Sequence, residues 1–488
     1  MRELRRKTLI PAFVLTEICN AEEPGAVERS IVAAADRQAL TYYLKPVSDS
    51  VAMGRQNYNL FPVILTKNSV PWDLGMLFIL RRLETERDPD MSTIASLAGD
   101  LGVYREWLDD QENPDELLIS FPKMKLRRVT YRYKGALKKK VDAGEIAVSS
   151  AKRQMGVVIA FYRWLIKEQI FVPSYDPWEE REYKLNLKNS YGGTLTKKVK
   201  STDLKIDAPK ADDSFDGTIQ DDGKLRPLPL NEQQWVMDAA HALGNGEMYF
   251  IILFMMLTGA RMQTVCTLKL RHFSNSKGNF SSAVGSSEEV FKISAGPGTG
   301  IDTKRNKRGV LHVPRALYEA LNIYANSDRA RRRRNNASGG DHGDQYLFLT
   351  QQGSPYYMSK KDAQLFDPDL KRRHRKNGGT VRQFLNDRLI PYIRENHDVK
   401  FHFRPHDLRA TFGMSQTEIQ MELVHVGIIS LARARTNVMA LMWHASSKTT
   451  DLYLDYKANL KATRAAVDNY GGDVQKWISQ GMAGDWNQ

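Results

Sequence analysis

Apolar residues recur at helical spacing over much of this chain. They do so in segments 72–80 and 91–98, where Ser92 is suited to cap the second of the two predicted helices. A third helix is predicted over 149–166, where the spacing makes one face apolar. The residues of that face are Val158, Phe161, Tyr162 and Leu165. We therefore predict a helical domain that buries these faces in one core.

The helical pattern is interrupted by a polar stretch and then returns. Residues 183–228 are rich in Asp, Lys, Gly and Ser without a sustained apolar period, which predicts a linker. Beyond it, Asn231 can cap a helix that runs to Leu243, and short segments near 280–315 predict a small antiparallel sheet. The predicted fold class is mainly α and multidomain, with a helical domain followed by an α+β domain. The predicted boundaries are 1–70 for an N-terminal arm or accessory region, 71–182 for the helical domain, 183–228 for the linker and 229–488 for the second domain.

Composition narrows the class of partner. The 488 residues suffice for two or three domains, and 71 Lys and Arg against 57 Asp and Glu give a formal net charge of +14. Such a charge favours a polyanionic partner. The longest apolar run, 249–257, is too short to cross a bilayer, and no signal-peptide cleavage site follows the basic N-terminus, so we expect a cytoplasmic protein. Cys19 and Cys266 lack metal-ligand spacing and are expected to be reduced thiols.

The residues best suited to catalysis lie in the C-terminal half. His406 and Arg409 stand in His-Asp-Leu-Arg, Tyr453 follows His444 by nine residues, and Arg261 ends the sequence Leu-Thr-Gly-Ala-Arg. Each motif alone has an ordinary interpretation, as a surface residue after a helix or as a solvated helix face. Taken together and in this order, these cations, imidazoles and phenol form a set that can hold a phosphodiester and attack it without a metal.

This set of motifs resembles that of the tyrosine recombinases, the phage-integrase family of site-specific DNA recombinases, over about residues 71–470. The resemblance implies that Arg261 and Arg409 clamp the phosphate, that His406 accepts a proton, that His444 hydrogen-bonds the phosphate and that Tyr453 is the nucleophile. It also implies cleavage and rejoining of DNA through a 3′-phosphotyrosine intermediate, with no metal or nucleotide cofactor, for integration or excision of a mobile element. The helical domain then corresponds to the family's core-binding domain and the second domain to its catalytic domain.

The family also uses a lysine on a β-hairpin, and here two lysines compete. The segment Gly298–Pro314 predicts two short strands around a basic turn. From the family's hairpin pattern, Lys304 is the first choice as the residue that protonates the departing 5′ oxygen, and Lys307 is the second. A basic turn can also serve solubility or bind phosphate without taking part in the chemistry.

Three further positions qualify the resemblance. Tyr456 lies three residues after Tyr453 and is a second candidate nucleophile, but the spacing from His444 favours Tyr453. Trp443 stands where the family usually has glycine, and is expected to crowd or restack the pocket. Thr264 stands where an acidic residue is common.

The resemblance also specifies partners. It implies double-stranded DNA, a homotetramer on paired sites, an accessory directionality factor, and a nucleoid-associated location in the cytoplasm. Phosphate contacts are predicted for Lys152, Arg153, Arg163 and Lys307. The run Arg329–Arg334 has two equally weighted interpretations, a solvated loop or a DNA-backbone contact. Two other functions stay open, a type IB topoisomerase-like DNA-relaxing enzyme and a non-catalytic DNA-binding relative.

Overall fold

The computed structural model describes residues 6–32, 39–46, 57–85, 90–188, 194–206, 217–273, 280–282, 289–365 and 374–459. The chain forms two compact units, the first of residues 1–212 with 364–375 and the second of residues 213–363 with 376–488. The predicted fold class is confirmed, since helices dominate and the second unit has a small antiparallel sheet. Within the described ranges, no helix is long and apolar enough to span a bilayer.

The first unit joins five helices to short antiparallel sheets. Its strands are β1 (Lys7–Val14), β2 (Thr16–Cys19), β3 (Val27–Val32), β4 (Ala39–Pro46), β5 (Asn57–Ile64), β6 (Glu180–Lys188) and β7 (Thr194–Thr202). Its helices are α1 (Asp73–Thr85), α2 (Met91–Asp109), α3 (Pro114–Leu118), α4 (Val129–Asp142) and α5 (Val148–Lys167). Strand β1 pairs with β5, the order β2-β4-β3 forms a second sheet, and β6 pairs with β7.

The core of the first unit includes strand residues from the predicted N-terminal arm. Phe61 and Ile64 of β5 are buried in the same apolar cluster as Phe78, Ile94 and Phe161 of the helices. The predicted apolar face of α5 is buried as expected. Strand β5 therefore shares a core with the helices, because its apolar side needs them to cover it, and the predicted domain boundaries stay a prediction.

The predicted linker contains secondary structure in its described part. Residues Glu180–Lys188 and Thr194–Thr202 pair as an antiparallel ladder, and Ile219–Gln220 pairs with Lys224–Leu225 as β8 and β9. Backbone hydrogen bonds in such ladders do not need an apolar repeat, so the polar composition concealed them. The predicted linker over 183–228 therefore contains paired strands in its described residues, and its role as a linker stays a prediction.

The second unit holds all six candidate catalytic residues and combines helices with a three-stranded antiparallel sheet. Besides β8 and β9, its strands are β10 (Phe280–Ser282), β11 (Glu289–Ala295) and β12 (Gly309–Pro314), in the order β10-β11-β12. Its helices are α6 (Leu230–Ala242), α7 (Gly246–Thr258), α8 (Met262–Cys266), α9 (Arg315–Asn326), α10 (Asp328–Asn335), α11 (Lys360–Gln364), α12 (Gly379–Phe384), α13 (Ile390–Asn396), α14 (Asp407–His425) and α15 (Leu431–Leu441). Residues 447–459 are also helical.

Two predicted helix caps are each displaced by two residues. Asp90 caps α2 and its side chain accepts a hydrogen bond from the Ser92 backbone, so Ser92 lies inside the first turn. Pro229 occupies the cap position of α6 and Asn231 lies inside that helix. Most of the apolar run of α7 packs in or against the main core of the second unit, which explains why this helix has little polar surface. Cys19 and Cys266 are both unpaired, and Cys266 is buried on α8.

The arginine run that was predicted as a loop or a DNA contact is helix α10. Arg329 donates to the fully buried carboxylate of Glu247 at 2.7 and 2.8 Å, and Nη2 of Arg333 lies 3.0 Å from it. The buried Arg334 pairs with Asp341 at 2.6 Å. A buried carboxylate has to be paired, so at least three of these arginines serve the fold, and the solvated-loop interpretation is wrong for them.

Candidate active site

The first arginine of the site follows a sharp helix end. Gly259 ends α7 with a φ of +65°, and a Cβ at this position would lie 2.4 Å from Cδ1 of Phe412. Only glycine therefore suits both the left-handed backbone and the close approach of the ring. The chain then turns so that Arg261, at the cap position of α8, brings Nη2 to 2.5 Å from Oδ2 of Asp222. Its Nε is buried without a hydrogen-bond partner among the described residues.

The second arginine, Arg409, is buried in the first turn of α14. Its Nη1 donates to the Gly259 carbonyl at 2.8 Å and its Nη2 donates to the Met442 carbonyl. Nε lies 3.6 Å from Oδ2 of Asp221. Arg409 is 3% exposed, so its planar group is held in one orientation by two backbone carbonyls. The Nε side of the guanidinium is not used by these carbonyls and faces an anion, the Asp221 carboxylate.

His406 begins α14 at the edge of the same cluster of cations. Its Nε2 is buried and has no hydrogen-bond partner within the described part of the chain. Burial, followed by the charges of Arg261 and Arg409, lowers the pKa of His406 to about 4. A neutral imidazole in this position can accept a proton. The i and i+3 spacing of the HxxR motif does bring both side chains to one site.

Tyr453 and His444 meet at one carboxylate oxygen. The Tyr453 hydroxyl donates to Oδ2 of Asp221 at 3.0 Å, and Nε2 of His444 lies 3.3 Å from the same oxygen. Nδ1 of His444 is 2.9 Å from the Thr450 hydroxyl, which fixes the ring orientation. Tyr453 is fully buried, and burial followed by the Asp221 charge raises its pKa well above the ordinary value.

The ring of Tyr453 packs against a bare stretch of α14. A Cβ at Gly413 would lie 2.4 Å from Cε1 of this ring. Tyr456 is only partly buried and packs at the side of the same apolar cluster, which also contains Ile219 and Leu225. The Tyr453 hydroxyl, nine residues after His444, therefore contacts Asp221 together with that histidine.

The predicted hairpin is formed with a different first strand. Strand β12 pairs with β11, so the segment 298–303 is a loop with an isolated bridge rather than a strand. In the basic turn that precedes β12, Arg305 and Asn306 adopt the left-handed backbone conformation. The prediction of two strands within Gly298–Pro314 is corrected accordingly, and the loop is longer than the pattern indicated.

Both candidate lysines reach the site from this turn. Nζ of Lys304 lies 3.1 Å from Oδ1 of Asp222, the same carboxylate that binds Arg261. Nζ of Lys307 donates to the Trp443 carbonyl. Burial, with the charges of Arg261 and Arg409, lowers the pKa of Lys307. The choice between the two lysines stays open on geometry alone.

Trp443 ties this turn to the loop before His444. Its φ is +52°, the left-handed region that glycine adopts without cost. The indole lies flat against Gly309, where a Cβ would be 2.3 Å from Cε2 of the ring, and Nε1 donates to the Val310 carbonyl at 3.0 Å. The ring therefore packs on β12, and the expectation that it would crowd or restack the pocket gives way to a contact with the β-sheet.

Sequence reasoning missed two residues of this site, Asp221 and Asp222. They form the tip of the β8–β9 hairpin, inside the predicted linker. Burial would raise the pKa of Asp221, but the His444 hydrogen bond and the Arg409 charge outweigh it and hold that pKa well below its ordinary value. The Asp-Gly pair at 222–223 is a recognised hairpin signal that could have located this turn.

The residues predicted to contact DNA in the first unit lie on the exposed side of α5. Arg153 forms two hydrogen bonds to Asp100, at 2.7 and 3.0 Å, and Arg163 pairs with Glu180 at 3.2 Å. Lys152 is exposed. The two arginines are thus paired with acidic side chains, and DNA contact by all three residues stays a prediction.

Neither a known family profile nor a curated protein matches this sequence. Among solved structures, this chain is similar to the Tn1549 transposon integrase (aa 82-397) in complex with circular intermediate DNA, with 13% identity and a TM-score of 0.41 over 78% of this chain and 94% of that one. It is similar to the XerH site-specific recombinase bound to difH, with 12% identity and a TM-score of 0.40 over 80% and 86%. It is also similar to a lambda integrase(75-356) dimer bound to a COC' core site, with 12% identity and a TM-score of 0.40 over 78% and 94%.

Proposed function

We propose that this chain is a site-specific DNA recombinase that cleaves and rejoins DNA through a covalent 3′-phosphotyrosine. The observation that carries the proposal is the convergence of one buried phenol, one imidazole and a buried guanidinium on a single carboxylate. Tyr453, His444 and Arg409 all lie within 3.6 Å of Oδ2 of Asp221. Donors that surround one carboxylate oxygen are equally able to surround a phosphate oxygen.

The cleavage step follows from these positions. The Tyr453 oxygen attacks the phosphorus, forming a P–O bond as the bond to the 5′ oxygen breaks. Arg261 and Arg409 stabilise the negative charge that builds on the non-bridging oxygens, which is the largest contribution in reactions of this kind. His406, neutral and with a free Nε2 among the described residues, accepts the phenolic proton. The phosphotyrosine keeps the energy of the phosphodiester, so the reverse attack by a 5′ hydroxyl rejoins the strand.

A lysine supplies the proton to the departing 5′ oxygen. The lowered pKa of Lys307 makes it the better acid, whereas Lys304 already lies beside the carboxylate that marks the anion position. The general-acid lysine can be identified with a duplex whose bridging 5′ oxygen is replaced by sulfur. The thiolate leaves without a proton, so cleavage of this duplex does not need the acid. We expect the Lys→Ala change at the acid, and at no other lysine, to be rescued by the sulfur substrate.

The partners and domain roles belong to the same proposal. The formal charge of +14 supports double-stranded DNA as the partner. We propose that the first unit grips DNA as a core-binding domain and the second unit performs catalysis, with a homotetramer on paired sites of a mobile element. An accessory directionality factor and a nucleoid-associated location in the cytoplasm complete the proposal. A topoisomerase-like activity is the second candidate, favoured by the same phenol and arginines, and strand exchange between two defined sites distinguishes the two.

Covalent trapping tests the proposal. Purified protein is incubated with nicked suicide duplexes from the ends of its element, with EDTA present, and covalent protein–DNA adducts are measured after denaturation. Wild type and Tyr456→Phe should form the adduct and Tyr453→Phe should not. Absence of an adduct from wild type on duplexes that it binds would overturn the enzymatic proposal and leave the binding-only relative.

A further inference from the structure

We propose that the tip of the β8–β9 hairpin, Asp221-Asp222-Gly223, is an internal anion that occupies the phosphate position and holds the site closed until DNA displaces it. This inference rests on the proposed function, since it assigns the same site a built-in competitor. The supporting observation is that the carboxylates of Asp221 and Asp222 contact the candidate catalytic side chains.

The two carboxylates divide the catalytic groups between them. Asp221 accepts a hydrogen bond from the Tyr453 hydroxyl and lies beside Nε2 of His444 and Nε of Arg409. Asp222 takes Nη2 of Arg261, at 2.5 Å, and Nζ of Lys304, at 3.1 Å. A scissile phosphate would have to bind the same donors, because these are the cationic and hydrogen-bonding groups of the site. The acidic pair and a phosphate are therefore mutually exclusive.

Charge also favours the acidic pair as the resident of an empty site. Arg409 is 3% exposed and Asp221 is 5% exposed, so without a carboxylate the guanidinium would be a buried and poorly compensated charge. Two carboxylates neutralise two of the three cations, Arg261, Arg409 and Lys304, that contact them. A DNA strand carries several phosphates, which bind further basic side chains of the protein along the duplex. It can therefore outcompete a fixed pair of carboxylates.

The hairpin is built so that its tip can leave while its base stays. Only two residue pairs form the ladder, Ile219 with Leu225 and Gln220 with Lys224. Ile219 and Leu225 are buried in the apolar cluster that also holds Tyr453, and they anchor the base. The tip turns through left-handed backbone, with φ of +58° at Asp222 and +134° at the following glycine. Both carboxylates therefore lie outside the paired and anchored base, so the tip can move while Ile219 and Leu225 stay packed.

Closure also holds the nucleophile inactive. While the Tyr453 hydroxyl donates to Asp221, its proton is engaged with this carboxylate and not with the proposed proton acceptor, His406. Attack requires the hydroxyl to be released and a phosphorus to occupy the space of the carboxylate. Displacement of the tip by DNA accomplishes both steps, so cleavage is coupled to correct seating of the phosphate.

Binding of inorganic phosphate to the full chain tests the competition without DNA chemistry. The variant is Asp221→Asn/Asp222→Asn, and the control is Glu289→Gln/Asp344→Asn, which makes the same charge change at two exposed carboxylates paired with arginines. Calorimetric titration at fixed ionic strength should show phosphate binding the variant about tenfold more tightly than wild type, which is a change of ~1.4 kcal/mol. The control should match wild type. Equal phosphate affinity in variant and wild type overturns the proposal.

A milder variant guards against misfolding. Asp222→Asn alone removes the contacts with Arg261 and Lys304 and leaves the buried Asp221 in place. If the double variant does not give a cooperative thermal transition, Asp222→Asn should still bind phosphate severalfold more tightly than wild type. An unchanged affinity in this folded single variant also overturns the proposal.

The rate of adduct formation on the suicide duplex separates this inference from the proposed function. At DNA concentrations below saturation, the double variant should form the adduct faster than wild type, and the control should not. A slower adduct in the double variant overturns the inference, because the carboxylates would then assist catalysis. If no protein forms an adduct, the proposed function fails, and tighter phosphate binding by the variant would still support the acidic tip as an internal anion.

Discussion

Replacing Glu247 by glutamine should destabilise the second unit strongly, although its partners Tyr324, Arg329 and Arg333 are not among the candidate catalytic groups. Its side chain is 0% exposed and accepts hydrogen bonds from Arg329 at 2.7 and 2.8 Å and from the Tyr324 hydroxyl at 3.0 Å, with Arg333 at 3.0 Å. The amide of glutamine keeps the volume but removes the charge, leaving Arg333, which is 12% exposed, without its anion.

The magnitude follows from the burial of the partners. Removing one member of a buried ion pair costs about 3–5 kcal/mol. The Arg329 side chain is 46% exposed and can turn toward water, so we reduce the expected loss to roughly 2–4 kcal/mol. For a domain of this size that corresponds to a fall in Tm of roughly 4–16 °C.

The assay is thermal unfolding of the full chain followed by calorimetry at pH 7. The matched control is Glu289→Gln, whose carboxylate is 51% exposed and pairs with Arg315, and it should lose less than about 1 kcal/mol. Burial would raise the pKa of Glu247, but the Arg329 hydrogen bond and the Arg333 charge lower it. The carboxylate therefore stabilises above its unfolded pKa near ~4.3, and the difference between wild type and Glu247→Gln should shrink below that pH. Equal Tm values for Glu247→Gln and Glu289→Gln at pH 7 would refute the reasoning.

Two further changes probe the site's own framework. Gly259→Ala should cost about 2–4 kcal/mol in urea unfolding, from a strained left-handed φ and a methyl 2.4 Å from the Phe412 ring; Gly244→Ala, with a φ of +66° and open space around it, should cost about 1 kcal/mol, and equal costs would contradict this. His406 has a pKa lowered to about 4, so its neutral form stabilises the fold above the unfolded pKa near ~6.5, and this contribution falls by roughly 1–3 kcal/mol as the pH drops to 4. Thermal unfolding of His406→Gln should lack that part of the pH dependence, and an unchanged profile would exclude a buried neutral His406.

The helices could be predicted because their signal is local. The apolar face of α5 is readable from spacing within twenty residues, and it is buried as that spacing indicates. The strands within the predicted linker were missed because their signal is not local. The strand pair β6–β7 and the hairpin β8–β9 are stabilised by backbone hydrogen bonds between strands, which leave no apolar period in the sequence.

The sequence by itself indicated the candidate reactive groups, because Arg261, the pair His406 and Arg409, and the pair His444 and Tyr453 each lie in a short local motif. Tertiary structure alone decided what these groups bind. Asp221 meets Tyr453 across 232 residues of chain, and no local pattern predicts a contact at that separation. The same holds for the arginine run of α10, because the carboxylate that binds Arg329 lies 82 residues away. A charge is stabilised by whatever anion the fold brings within a few ångströms, so the sequence names the cations and only the fold names their partners.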